Sequence, residues 1–241
     1  MNSKEKVLFT KRFYPAGTYT WTVPAGCDSV DVFLVGGGGG GASAYGYRKA
    51  GSGGGYTKTF RGQDYVKPSS GTWMGTYNEG RDGDAIEVQP GQVIEIKVGK
   101  GGAVNSRGES SYFMNSDYLA EGGYCGTYSL PSGTPTGGNG GSGGGAYLGD
   151  GGVDGNNGLK GDSNSYVGVG QGHTTRDFGE PTGKPNAAGS AGDMTASNKN
   201  CYSQGSGSSN PNSGYGGAGS GEDSNTVGGD GTVLIRYYAY E

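Results

Sequence analysis

Residues 36–41 are six consecutive glycines, and they follow directly on an apolar run, SVDVFLV (29–35). A segment without side chains excludes most ways of building a core. It has no Cβ to bury, and glycine loses more conformational freedom on folding than any other residue. A helix is disfavoured, since each glycine costs about 1 kcal/mol relative to alanine in a helix interior. Such a run folds only if its backbone N–H and C=O groups all find partners.

Glycine supplies 57 of the 241 residues, and further clusters stand at 53–55, 137–145, 149–158, 214–221 and 228–231. Chains this rich in glycine are usually disordered or collagenous. Collagen is excluded, because GGNGGSGGGAYLGDGGVDGNNG (137–158) has no Gly-X-Y period. The ordered alternative is polyproline II geometry, with three residues per turn and N–H and C=O groups pointing outward. Six residues in that geometry make a rod about 19 Å long. Several rods laid side by side bond to one another, with Cα–H···O contacts adding a smaller contribution. Flanking strands would lower the entropic cost by fixing the rod ends.

The flanks do read as strands. In TYTWTV (18–23), Tyr19, Trp21 and Val23 alternate with threonines, and two Pro-Ala-Gly turns bracket the segment. VLFTKRF (7–13) is expected to pair with it. In SVDVFLV, Val30, Val32 and Leu34 share one face. Ile86 and Val88 lead through the turn Gln89-Pro90-Gly91 into Ile94, Ile96 and Val98. Segments 55–60 and 109–114 are weaker strand candidates. TVLIRYYAY (232–240) is expected to return to the early strands. No helical stripe occurs. The expected fold is therefore all-β. An antiparallel β-sandwich or jelly-roll-like scaffold (1–120 plus 228–241) carries an inserted bundle of polyglycine II rods and long loops (121–227), all within one glycine-rich domain (1–241).

The patterns that suggest catalysis fail on inspection. A dinucleotide fingerprint must open a helix whose N-terminus holds the pyrophosphate, but ASAYGYRKAGSGGG (42–55) has no apolar face. GEPTGKP (179–185) is one residue short of a phosphate loop and has Pro185 where a magnesium-binding hydroxyl belongs. The one histidine, His173, cannot build a metal cluster. DGGVDGNNG (150–158) lacks the carboxylates and closing glutamate of a calcium loop. Cys27, Cys125 and Cys201 are too widely spaced for a disulfide framework or zinc ribbon and read as isolated thiols, with one chance pair open. Net charge is −4, without a basic stripe for nucleic acid. MNSKEKVLF (1–9) has no apolar signal core, and no run is long enough to span a membrane. The expectation is a non-enzymatic protein with no cofactor and no metal.

Between the rods lie stretches that mix Tyr and Trp with Ser, Asn and Gly, the composition of adaptable binding loops. The aromatic faces also suit sugars. The binding candidates are Tyr45, Tyr47, Trp73, Tyr77, Tyr124, Tyr128, His173, Phe178 and Tyr202. Packing against the scaffold is the competing role for each.

YPAGTYTWTVPAGCDSVDVFLVGGGGGG (14–41), VQPGQVIEIKVGKGG (88–102) and GGDGTVLIRYY (228–238) resemble, in order, three segments of a glycine-rich domain family found in phage tail proteins and bacterial surface proteins. The resemblance implies a β-sandwich with inserted polyglycine II rods, as in the glycine-rich region of anaplastic lymphoma kinase. It also implies kinship with phage adhesins whose variable loops meet host receptors. On that basis the expected role is a tail or fibre-tip adhesin of the virion, binding a host-surface glycan or protein and contacting other virion proteins, with a homo-oligomer such as a trimer as the expected assembly. The alternatives are a capsid or tail decoration or assembly protein, or a bacterial surface module, whose loops mainly join subunits. An enzyme acting on surface polysaccharide is the weakest reading.

Overall fold

The computed structural model describes residues 5–41, 52–62, 81–129, 134–140 and 227–241. Within them are eleven strands and no helix: β1 (Lys6–Phe13), β2 (Gly17–Thr22), β3 (Ser29–Val35), β4 (Thr57–Phe60), β5 (Ile86–Glu87), β6 (Val93–Val98), β7 (Ser111–Phe113), β8 (Asn115–Ala120), β9 (Thr127–Ser129), β10 (Thr134–Thr136) and β11 (Thr232–Tyr240). Two antiparallel sheets face each other. One runs β1-β11-β3-β4, with β5 also on β3, and the other runs β2-β6-β7-β8. β9 and β10 form a separate hairpin.

The expected alternation holds. Trp21, Val23, Val30, Val32, Leu34, Ile94, Ile96, Val98, Val233 and Ile235 are all buried between the sheets. Aromatic rings bridge them, with Trp21 centred 5.0 Å from Tyr237 and 6.2 Å from Phe113. Each fully buried side chain of this size contributes about 1.5–3 kcal/mol. On the outer side of β3 and β11, Phe33, Val35 and Leu234 make a second buried cluster. Next to it Arg236 holds Asp31 directly across the strand pair, at 2.8 and 3.2 Å.

One expected pairing is corrected. β1 pairs with β11 rather than β2, because the turn after Phe13 carries the chain into the opposite sheet. β5 joins β3, and the Gln89–Gln92 turn crosses between the sheets. β8, β9 and β10 were not expected. NSDYLA (115–120) lacks the apolar alternation that marks a buried strand.

Six strand ends lie at one end of the sandwich, and each continues into an extended segment: 36–41 from β3, 52–56 into β4, 99–103 from β6, 106–110 into β7, 121–124 from β8 and 228–231 into β11. Registers place these ends together, since Val35 pairs with both Thr57 and Thr232, and Ser111 pairs with Ala120.

The 36–41 segment is the axis of this bundle. Gly36 and Gly39 donate to Tyr56 and Gly53, Gly37 and Gly40 to Glu109 and Ser106, and Gly38 to Gly229, all at 2.8–3.0 Å. Donors therefore change partner every residue and return to the same partner every third. A β-strand would return every second. A period of three is that of polyproline II geometry, so the glycine run is a polyglycine II rod. Its carbonyls accept from two more segments: Gly37 from Gly123, Gly38 from Gly102 and Gly41 from Asn105. Five segments thus surround it. They also bond to one another, as in Gly53 to Tyr124, Gly108 to Gly123, Glu109 to Lys100 and Gly228 to Gly102. Residues 137–140 add an outer rod, with Tyr124 donating to Asn139.

The clusters read from sequence at 36–41, 53–55 and 228–231 are rods, and so is the start of 137–145. Those at 149–158 and 214–221 lie outside the described residues. The rods at 99–103, 106–110 and 121–124 were not expected. They carry only scattered glycines, placed where a neighbour comes closest. A Cβ on Gly101 would lie 1.8 Å from the Gly228 carbonyl oxygen, and one on Gly108 would lie 2.1 Å from that of Gly37.

A Cβ at Gly37 would stand 2.2 Å from the Lys100 carbonyl oxygen, against backbone that cannot turn aside. Gly37→Ala is therefore expected to cost at least about 3 kcal/mol, the range of severe core disruption. Gly91 has φ +84° with nothing within 4 Å of a Cβ, so Gly91→Ala should cost only about 1–2 kcal/mol of backbone strain. Denaturant midpoints of the two variants check the difference, and equal losses would refute packing as the reason for glycine at position 37.

Candidate binding surface

The axial rod 36–41 carries no side chains, so surface chemistry on the bundle comes from the non-glycine residues of the rods around it. Tyr124 is the clearest. Its backbone is locked in the lattice: its N–H donates to Asn139 and its carbonyl accepts from Gly53. Its ring turns outward, 42% exposed. The Arg107 guanidinium lies 4.0 Å from the ring centroid. Arg107 is held by its Nε–H to the Gly122 carbonyl at 3.0 Å and by an ion pair with Glu121. The result is a fixed aromatic-cation-carboxylate cluster on a rigid bundle, suited to a polar ligand with both faces and hydroxyls to offer.

Tyr128 stands on β9, with Pro135 of β10 as its cross-strand partner. The structure therefore places Tyr124 and Tyr128 four residues apart along the chain, one on a rod and one on the hairpin that follows it. Tyr45, Tyr47, Trp73, Tyr77, His173, Phe178 and Tyr202 lie outside the described residues. Arg107 and Glu121 were missed from sequence. They stand 17 and 3 residues from Tyr124, and only the stacking of neighbouring rods brings Arg107 to the ring.

The far end of the bundle is where the described chain stops and restarts. Gly41 precedes 42–51, Ser52 follows it, and Val227 leads back into the last rod. Ser52 caps this end, its buried hydroxyl donating to the Gly39 carbonyl at 2.7 Å. At the sandwich end of the rods Ser111 does similar work. Its buried hydroxyl donates to Val35 at 2.6 Å and accepts from Gly99 at 2.8 Å, joining the two sheets where strands become rods. Asp230 accepts from Ala16 and Gly101 through its two oxygens.

The opposite end of the sandwich holds an open groove lined by Asp28, Ser29, Glu87, Val88, Gln89, Gln92 and Met114. Met114 has φ +69°, at the irregularity between β7 and β8. Asp28 is paired with Lys6, which lowers its carboxyl below the usual range. Beside the groove Cys27 is buried as a free thiol, and Cys125 is free and half-buried. Burial pushes the Cys27 thiol up, and the Asp28 charge adds to this. Glu95 accepts a hydrogen bond from Tyr112 and raises its phenol, on an exposed face. Among the described residues no three His, Cys, Asp or Glu side chains gather to hold a metal, and no helix is long and apolar enough to cross a membrane.

A family model described as a glycine-rich domain matches residues 14–238. No curated protein matches the chain.

Because its thiolate is disfavoured, Cys27 should be the last of the thiols to react with a disulfide reagent at neutral pH, and should react readily once the chain is denatured. Timed labelling of the native protein and of Cys27→Ser checks this. A fast phase that disappears in Cys27→Ser would contradict it. The pH dependence has a definite sign. Because folding raises the Cys27 thiol, stability is independent of it below the ordinary thiol range and falls as pH rises from there through the raised folded value.

Proposed function

The chain belongs to the glycine-rich domain family, and from that premise we propose that it is a phage virion protein, a tail or fibre-tip adhesin that holds a host-surface glycan or protein. The observation that carries this reading is the bundle itself. Rods that spend their backbone on one another form a stiff spacer around an axial run with no side chains. The described chain leaves the bundle's far end at Gly41 and returns to it at Ser52 and Val227, and the sequences adjoining those residues, 42–51 and 198–226, are rich in Tyr, Ser, Asn and Gly. A rigid scaffold that ends in aromatic-polar segments favours recognition, because the cost of ordering the contact surface falls on the loops alone. The Arg107–Tyr124–Glu121 cluster on the rods extends the same chemistry down the side of the bundle.

A planar ring over a sugar or a partner side chain contributes about 0.5–1.5 kcal/mol beyond the area it buries. Removing several rings should therefore compound. Tyr124→Ala, Tyr45→Ala and Tyr202→Ala are each expected to lower binding to host cells by about threefold to tenfold, by the same estimate. Thermal melting of each variant should stay near that of the unaltered protein. Flow cytometry with labelled protein checks this. Full binding by every variant, including the triple, would remove the aromatic segments from the reading.

A further inference from the structure

β1 is an edge strand, pairing with β11 alone among the described residues. Its outward row alternates Lys6, Leu8, Thr10 and Arg12, and the first three are exposed. Leu8 is 51% exposed beside its cross-strand partner Tyr238 at 57%. On the other face Lys11 is exposed, its ammonium 5.3 Å from the Phe13 ring centroid. The strand KVLFTKRF thus carries three cations and no carboxylate, in a chain of net charge −4. The carboxylates nearby are Glu5, just before the strand, Glu241, next to the Lys6 partner Tyr240, Asp28, paired with Lys6 at 3.0 Å, and Asp31, held by Arg236.

An edge strand offers a row of backbone donors and acceptors to any extended segment that can approach it. Here the side chains choose among candidates. Antiparallel pairing of two β1 strands about Phe9 would set Lys6 against Arg12 and Val7 against Lys11. Like charges directly opposite destabilise a strand pair, so the strand repels its own copies. A segment with carboxylates at those places would gain what a second copy loses, and an apolar residue in its middle would cover Leu8 and Tyr238. We propose that the β1 edge receives an extended acidic strand from another protein, added to the sheet by backbone hydrogen bonds and selected by charge. This surface lies on the sandwich, away from the rods, and the inference does not rest on the receptor-binding reading.

The test uses two soluble peptides, one with glutamates placed to face Lys6, Lys11 and Arg12 and valine to face Leu8, the other with lysine in place of glutamate. Amide hydrogen exchange of the full chain is followed with each. The glutamate peptide should slow exchange at Val7–Lys11 and the lysine peptide should not. Lys11→Glu, and the double variant with Lys6→Glu, should weaken the effect about tenfold, as should raising salt to about 0.5 M, while melting stays unchanged. Equal effects of both peptides, slowed exchange only elsewhere, or no slowing up to millimolar peptide would overturn the proposal. So would sedimentation showing that the chain pairs with itself through β1.

Discussion

The structure depends on how closely one backbone can approach another. Around Gly36–Gly41 the neighbouring carbonyl oxygens lie where side chains would begin, 1.8–2.4 Å from the ideal Cβ positions at residues 36, 37, 39 and 40. At that separation the N–H groups of Gly36 to Gly40 each reach a neighbouring carbonyl, and the bundle's interior is made of peptide groups. Each such bond contributes about 1 kcal/mol net, no more than the cost of ordering the residue that makes it. The bundle therefore does not stand on its own bonds. It stands because its rods are continuations of strands already ordered by a hydrophobic core.

That dependence explains the architecture. Trp21, Phe113, Tyr237 and the aliphatic rows of β3, β6 and β11 fix six strand ends in register. Each rod then starts at a set height and angle. The junction is sealed by small polar groups rather than bulk: the Ser111 hydroxyl spans both sheets, and the Asp230 carboxylate ties a rod to the loop before β2. The axial run itself carries no side chain, and the rods around it carry theirs on the outside. Side chains that do emerge, such as Tyr124 and Arg107, are held by a backbone that cannot shift, and so are well placed to meet a ligand in one geometry.

Much of this could be read from the chain. Period-two alternation marked β2, β3, β6 and β11, because both sheets bury one face against a single core. The long glycine runs marked the axial rod and the rod before β11. The rods at 99–103, 106–110 and 121–124 escaped notice, since each needs glycine only where a neighbour crosses it, and nothing local records where that is. The partners of β1 and β5 escaped for a related reason: alternation shows that a strand has a buried face, not which strand lies beside it. Of the surface cluster, Tyr124 was visible as an aromatic among glycines, while Arg107 looked like any loop arginine.

The sequence by itself therefore determined the two materials of this protein, side-chain core and glycine backbone, and the point at Val35–Gly36 where one gives way to the other. Composition and alternation are local properties, and they suffice for that. Only the tertiary structure decided which segments surround the axial rod, which sheet each strand joins, and that Arg107 meets Tyr124. Those outcomes are set by contacts between residues far apart in the chain, where a single added carbon would strike a carbonyl oxygen that no nearby residue supplies.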